Sequence, residues 1–138
     1  MITLLYRAAD AIRRRAYGKD HGRIGEDLAH RYLRGRGCTI VARNYRTRSG
    51  SGEIDLVAWD GPVLAFVEVK TRESEEFGAP EAAVDADKRV RLEYAARDYA
   101  RRADIEWGKT RFDIVSIVLA EPPKIEWIRS AFGSQMAR

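Results

Sequence analysis

The sequence predicts an α/β protein: a mixed β-sheet flanked by helices, in the order α-β-β-β-α-β-β. Three observations lead there. Two stretches with helical periodicity, one ending at Gly35 and Gly37 and one reaching Ala103, bracket a run of short strand-like segments. Val63 to Val69 is mostly apolar on both faces, which suits an interior strand rather than a wet edge. Beyond the second helix, Arg111 to Leu119 is rich in β-branched residues, the signature of a further strand. Segments that alternate in this way form a sheet with helices packed on it.

Each element has its own warrant. Met1 to Tyr17 repeats Ile2, Leu5, Ala9 and Ile12 at helical spacing and is followed by a break at Gly18 to Gly22. An additional helix over 1–18, packed on the domain or on a second subunit, is expected ahead of a transit peptide or a membrane-surface helix. The main domain then spans 19–138. From Gly22 to about Arg36 a helix carries the stripe Ile24, Leu28, Ala29, Tyr32 and Leu33. Cys38 to Tyr45 reads as a strand, and Arg46 to Gly52 as an exposed turn. Strands follow on either side of Trp59-Asp60-Gly61-Pro62, a connector of hairpin length. Thr71 to Ala79 reads as a loop, and about Pro80 to Ala103 as a helix with Val84, Leu92, Ala95, Ala96, Tyr99 and Ala103 on one face. Lys124 to Ile128 is a short last strand.

Composition sets the bounds. A chain of 138 residues, 45% hydrophobic and 33% charged, can bury a sizeable single core. A net charge of +4 and a pI near 9.4 permit a polyanionic partner without demanding one. One cysteine excludes an intramolecular disulfide framework and a cysteine-based zinc site, and two histidines exclude a histidine-rich metal cluster. A reducing cytoplasm is the expected location. No segment approaches the ~20 apolar residues of a membrane span.

The chemistry-bearing stretches are Gly52-Glu53-Ile54-Asp55 and Phe66-Val67-Glu68-Val69-Lys70. Glu68 and Lys70 share one strand face, and Val67 and Val69 take the other. Asp55 is read as ending an alternation of Glu53 and Asp55 against Ile54 and Leu56. If the two strands pair, Asp55, Glu68 and Lys70 converge, and two acids with a lysine suit a hard cation and the water it activates. A Glu-Val-Lys triplet on a solvated strand is the commoner situation. The apolar run before it tips the balance, because charges ending such a strand need pairing or a metal.

Glu26 falls about 20° beyond Leu33 on the helical wheel, and from its helix alone it reads as an ordinary first-turn glutamate favoured by the dipole. Lys88 sits inside an apolar face, where snorkelling and an approach to the acidic strands are equally good explanations. Asp113 shares a face with Val115 and Ile117. A structural ion pair is the leading account there, ahead of a further site acid.

Together these residues resemble the PD-(D/E)xK nuclease superfamily. Within it, they are most similar to the YraN-like family of uncharacterised bacterial proteins, related in fold to archaeal Holliday-junction resolvases. The signatures are Gly22-Arg23-Ile24-Gly25-Glu26, the two stretches above extended to Thr71-Arg72, Lys88, and Arg111-Phe112-Asp113. They span about Gly22 to Ile128. Ile54, rather than proline, precedes Asp55, and Leu92 follows Lys88 where some relatives carry a glutamine-and-tyrosine motif. The resemblance implies a restriction-endonuclease-like fold and a catalytic set of Glu26, Asp55, Glu68 and Lys70. It implies Mg²⁺ or Mn²⁺ held by Asp55, Glu68 and the Val69 carbonyl, with Glu26 as an additional or water-mediated ligand. Lys70 would orient the attacking water. Arg43, Arg46, Arg48, Thr71, Arg72 and Lys88 would hold nucleic-acid phosphates, and Glu53 and Asp113 are additional candidates.

The leading expectation is thus a metal-dependent nuclease acting on branched or structured DNA, as a homodimer if its extra helix meets a second subunit. The alternatives are a nucleic-acid-binding module or an adaptor that keeps the fold without cleaving.

Overall fold

The computed structural model describes residues 22–74 and 84–133. The helix expected within 1–18, and with it the expected dimer surface, lies outside them, as does 75–83. Helix α1 (22–35) leads into β1 (Thr39–Arg46), β2 (Glu53–Asp60) and β3 (Val63–Arg72). Helix α2 (Ala86–Arg102), a 3₁₀ turn (Trp107–Lys109), β4 (Thr110–Val118) and β5 (Lys124–Phe132) complete the order. The five strands lie in sequence order across one sheet, antiparallel except for the β3–β4 pair. The sheet is therefore mixed, as expected. A parallel pair needs a crossover, and α2 lies within it.

Local chemistry sets the boundaries. Helix α1 ends where Gly37 takes a φ of 91°, with Cys38 N–H bonded to the Leu33 carbonyl at 3.0 Å and Gly37 N–H to Arg34 at 3.0 Å. That is a Schellman cap, and a Cβ at Gly37 would oppose the left-handed backbone it needs. Helix α2 begins at Ala86, later than expected, because the Asp85 carboxylate accepts from Lys88 N–H at 2.8 Å and caps the first turn. Val84 is buried ahead of the helix, and Ala103 is its C-cap. Gly61, with φ at 59°, and Pro62 make the β2–β3 turn; proline cannot take positive φ, which leaves type II′. Strand β3 continues through Thr71 and Arg72, where a loop was expected, because both pair with β4 opposite Ile117 and Val118. The last strand is likewise longer than expected, running to Phe132.

Two cores flank the sheet. Leu64, Phe66, Phe112 and Ile114 pack towards Leu92, Ala95, Ala96 and Ala100 of α2. Ala65, Val67, Val115 and Ile117 pack towards Ala29 and Leu33 of α1. Each fully buried large aliphatic contributes about 1.5–3 kcal/mol. Ile24, expected on the buried stripe, is 47% exposed; Gly25, Ala29 and Leu33 form the buried row, four residues apart, and Ile24 lies about 140° from its centre.

The alternation expected along β2 breaks at Asp55. Ile54 packs on the α2 side and Leu56 on the α1 side, although they are two residues apart. The neighbouring strand makes the same switch. Tyr45, opposite Ile54, bonds Asp98 of α2 at 2.5 Å, whereas Arg43, opposite Leu56, bonds Asp27 of α1. Between them Asn44 has a φ of 52°. Asn44 and Asp55 thus sit at a twist where both strands exchange faces. Asparagine tolerates that backbone better than most residues.

Candidate functional site

Strand β3 presents Glu68 and Lys70 on the face covered by α2, with Val67 and Val69 on the other. The Glu68 side chain is 7% exposed, and its Oε1 lies 2.7 Å from Lys88 Nζ and 3.7 Å from Lys70 Nζ. Of the two explanations for Lys88, the structure thus shows the approach to the acidic strands. Burial opposes its charge, yet the bond to Glu68 wins and raises its pKa. Lys70 moves the other way: burial, reinforced by the neighbouring Lys88 ammonium, pushes its pKa down.

Asp55 lies where β2 and β3 part. Their pairing ends at Leu56 opposite Val67, and beyond it the Asp55 Oδ2 accepts from Val69 N–H at 2.8 Å. The carboxylate thus takes over a backbone donor that the divergence would strand. Burial raises its pKa to about 7, helped by the Glu68 charge and more weakly by Glu26, against the Val69 bond. Two acids meet here at a cost that a cation would relieve.

Two glycines let the helices approach the strands around these acids. A Cβ on Gly52 would come within 2.4 Å of the Arg91 carbonyl, so only glycine lets the start of β2 touch α2. A Cβ on Gly25 would lie 1.8 Å from Thr71 Oγ1, so glycine seats α1 against the end of β3. Through that contact Thr71 serves the packing of α1.

The other sequence candidates divide. Glu26 is close enough to raise the Asp55 pKa, but its Oε2 also lies 3.9 Å from Arg43. Arg43 bonds Asp27 as well, so its guanidinium is already engaged. Arg46 pairs with Glu53 at 3.4 Å. Arg48 is exposed in the β1–β2 turn, and Arg72 donates to Ser116 Oγ at 3.4 Å. Asp113 is not brought to the carboxylates. Fully buried on the α1 face, it accepts from Arg111 Nε at 2.7 Å, Trp127 Nε1 at 2.9 Å and Ser130 N–H at 3.0 Å. Arg111 also holds Asp60 at 2.9 Å. Every visible acceptor of Asp113 has a structural task.

Sequence reasoning passed over Arg91, Thr47 and Ser51. The β1–β2 turn is exposed, as expected, at Arg46, Arg48, Ser49, Gly50 and Ser51, but it buries Thr47, whose Oγ1 lies 3.2 Å from Ser51 Oγ. Lys88 and Arg91 are three apart, one helical step, and that spacing was the available signal. A cavity of about 220 Å³ separates this turn from α2. Larger ones, about 360 and 540 Å³, lie away from the carboxylates beside Trp107 and Cys38.

Among the described residues no three His, Cys, Asp or Glu side chains close on one point. The donor set is two carboxylates, Asp55 and Glu68, with a third acid nearby. Hard oxygen ligands in that number fit Mg²⁺ or Mn²⁺, which keep their waters and bind through one or two carboxylates plus substrate phosphate.

The model of Uncharacterised protein family UPF0102 matches residues 25–117. This chain belongs to the UPF0102 family. A UPF0102 protein of Solibacter usitatus (strain Ellin6076) is 71% identical over 132 residues, covering 96% of this chain and all of the relative. One from Koribacter versatilis (strain Ellin345) is 48% identical over 80% of this chain and 78% of its own length. Another, from Rhodococcus opacus (strain B4), is 43% identical over 80% and 94% respectively. The matched span of this UPF0102 protein runs from Gly25 to Ile117 and so takes in Glu26, Asp55, Glu68, Lys70 and Lys88. No described helix is long and apolar enough to cross a membrane.

Proposed function

We propose that this UPF0102 protein is a metal-dependent nuclease of PD-(D/E)xK type, hydrolysing phosphodiester bonds in branched or structured DNA. The observation that carries this is the Asp55–Glu68 pair: two converging acids, one with its pKa raised to about 7 by burial and its neighbour. Such a cost is tolerated where a cation completes the site. Asp55, Glu68 and the Val69 carbonyl would hold Mg²⁺ or Mn²⁺, with Glu26 acting directly or through water. The ion would supply Lewis acidity and a water of lowered pKa.

The chain's own groups do the rest. Lys70, its proton loosened by burial and by Lys88, holds the attacking water and shares charge with the phosphate in the transition state. Lys88 holds Glu68 in place and can pass its charge to an incoming phosphate. Arg48 and Arg72 position flanking phosphates, which confers affinity but no base preference.

The Lys88–Glu68 bond also favours a second reading. A buried acid already paired with an ammonium can be purely structural, leaving a binding module that does not cleave. One assay separates them: cleavage of linear, single-stranded and four-way-junction DNA with Mg²⁺, Mn²⁺ or EDTA, alongside calorimetric Mn²⁺ titration. The nuclease reading expects metal-dependent cleavage and Mn²⁺ binding that Asp55→Asn and Glu68→Gln each abolish. Unchanged Mn²⁺ affinity in both variants would reject the metal site.

A further inference from the structure

We infer that the cavity between the β1–β2 turn and α2 binds a second phosphate of the substrate strand, next to the one at the carboxylates. This rests on the nuclease reading. The cavity, about 220 Å³, is lined by Gly50, Ser51 and Glu53 on the strand side and by Lys88 and Arg91 on the helix side. At ~30 Å³ per liquid water, that is room for a phosphate with part of its hydration. Lys88 lines it and also touches Glu68 at 2.7 Å, so one side chain joins the cavity to the acidic pair.

The charge balance selects an anion. Glu53 is offset by Arg46 at 3.4 Å, and Lys88 by Glu68. Arg91 is exposed and has no carboxylate partner among the described residues. Its planar fork matches two phosphate oxygens, which an ammonium cannot do. The opposite wall is fixed. Gly50 N–H bonds the Thr47 carbonyl at 3.0 Å, Thr47 N–H bonds Gly52 at 3.2 Å, and Ser51 Oγ lies 2.7 Å from Ser49 Oγ. Gly52 presses on the Arg91 backbone, which sets the cleft width at a value that no side chain there could keep. The ligand class is a phosphodiester, read without regard to base.

The test uses the full chain and Arg91→Ala, with Arg91→Lys as the conservative variant. Fluorescence anisotropy with single-stranded and junction DNA in EDTA gives affinity against salt. Arg91→Ala should weaken binding about tenfold and flatten the salt slope by about 0.7 to 0.9, one phosphate; Arg91→Lys should recover the slope but only part of the affinity. If the wild type cleaves with Mn²⁺ while Arg91→Ala matches it in affinity and slope, the cavity assignment is overturned and the nuclease reading stands. If the wild type cleaves nothing, that reading falls and inorganic phosphate, titrated by NMR, decides the cavity. Shifts at the Gly50, Ser51 and Gly52 amides, lost in Arg91→Ala, support a phosphate site; their absence overturns it.

Discussion

Replacing Asp55 by asparagine should stabilise the protein at pH 8 in EDTA while removing the proposed cation site. The Asp55 carboxyl has an ordinary pKa of 3.8 and one of about 7 in the fold. Below pH 3.8 it is protonated in both folded and unfolded chains, and the fold carries no penalty. Between 3.8 and 7 the unfolded chain releases its proton and the native one does not, so stability falls as pH rises. Above 7 the penalty is complete. At about 1.36 kcal/mol per pH unit the ceiling is about 4 kcal/mol, and about 2 kcal/mol is expected because water reaches a half-buried carboxyl. Asparagine keeps an oxygen for the Val69 N–H, now 2.8 Å from Oδ2, without charge beside Glu68. Urea unfolding in EDTA at pH 5 and pH 8 should show the variant's advantage growing with pH, and Mn²⁺ should stabilise only the wild type. A variant that is less stable by the same amount at both pH values would refute the argument, since the anion would then be favourable where it sits.

Lys88→Met leaves the Glu68 carboxylate without the ammonium now at 2.7 Å and should cost about 2–3 kcal/mol in thermal unfolding; Mn²⁺ should restore part of it, and an unchanged melting curve would show the bond to be incidental. Asp113→Asn removes the charge under Arg111 and an acceptor of Trp127 Nε1, so a loss of about 3–5 kcal/mol with altered Trp fluorescence is expected, with no direct effect on Mn²⁺ affinity. Gly52→Ala drives a Cβ to 2.4 Å from the Arg91 carbonyl and should cost about 1–3 kcal/mol by urea titration; a neutral result would mean that α2 moves aside freely.

Element order, the mixed sheet and the shared face of Glu68 and Lys70 were all legible in the order and spacing of the residues. Strand and helix periodicity are local, and a two-residue spacing on a strand decides a side chain's direction wherever the strand lies. The Gly61-Pro62 turn was legible for the same reason, since its backbone angles belong to those two residues. Other features needed the tertiary structure. The switch of faces at Asp55 comes from pairing with a β1 twisted at Asn44, a residue eleven positions away in sequence, so the β2 pattern alone misread its own alternation. Whether Lys88 snorkels or bonds Glu68 depends on where the crossover lays α2, and the solvation of one carboxylate decides it. Asp113 and Asp55 look alike as acids in apolar strands. One has an arginine, an indole and a backbone amide around it, and the other has a backbone amide and a second acid. That difference in neighbours, invisible along the chain, makes one a structural anchor and leaves the other a candidate for a cation.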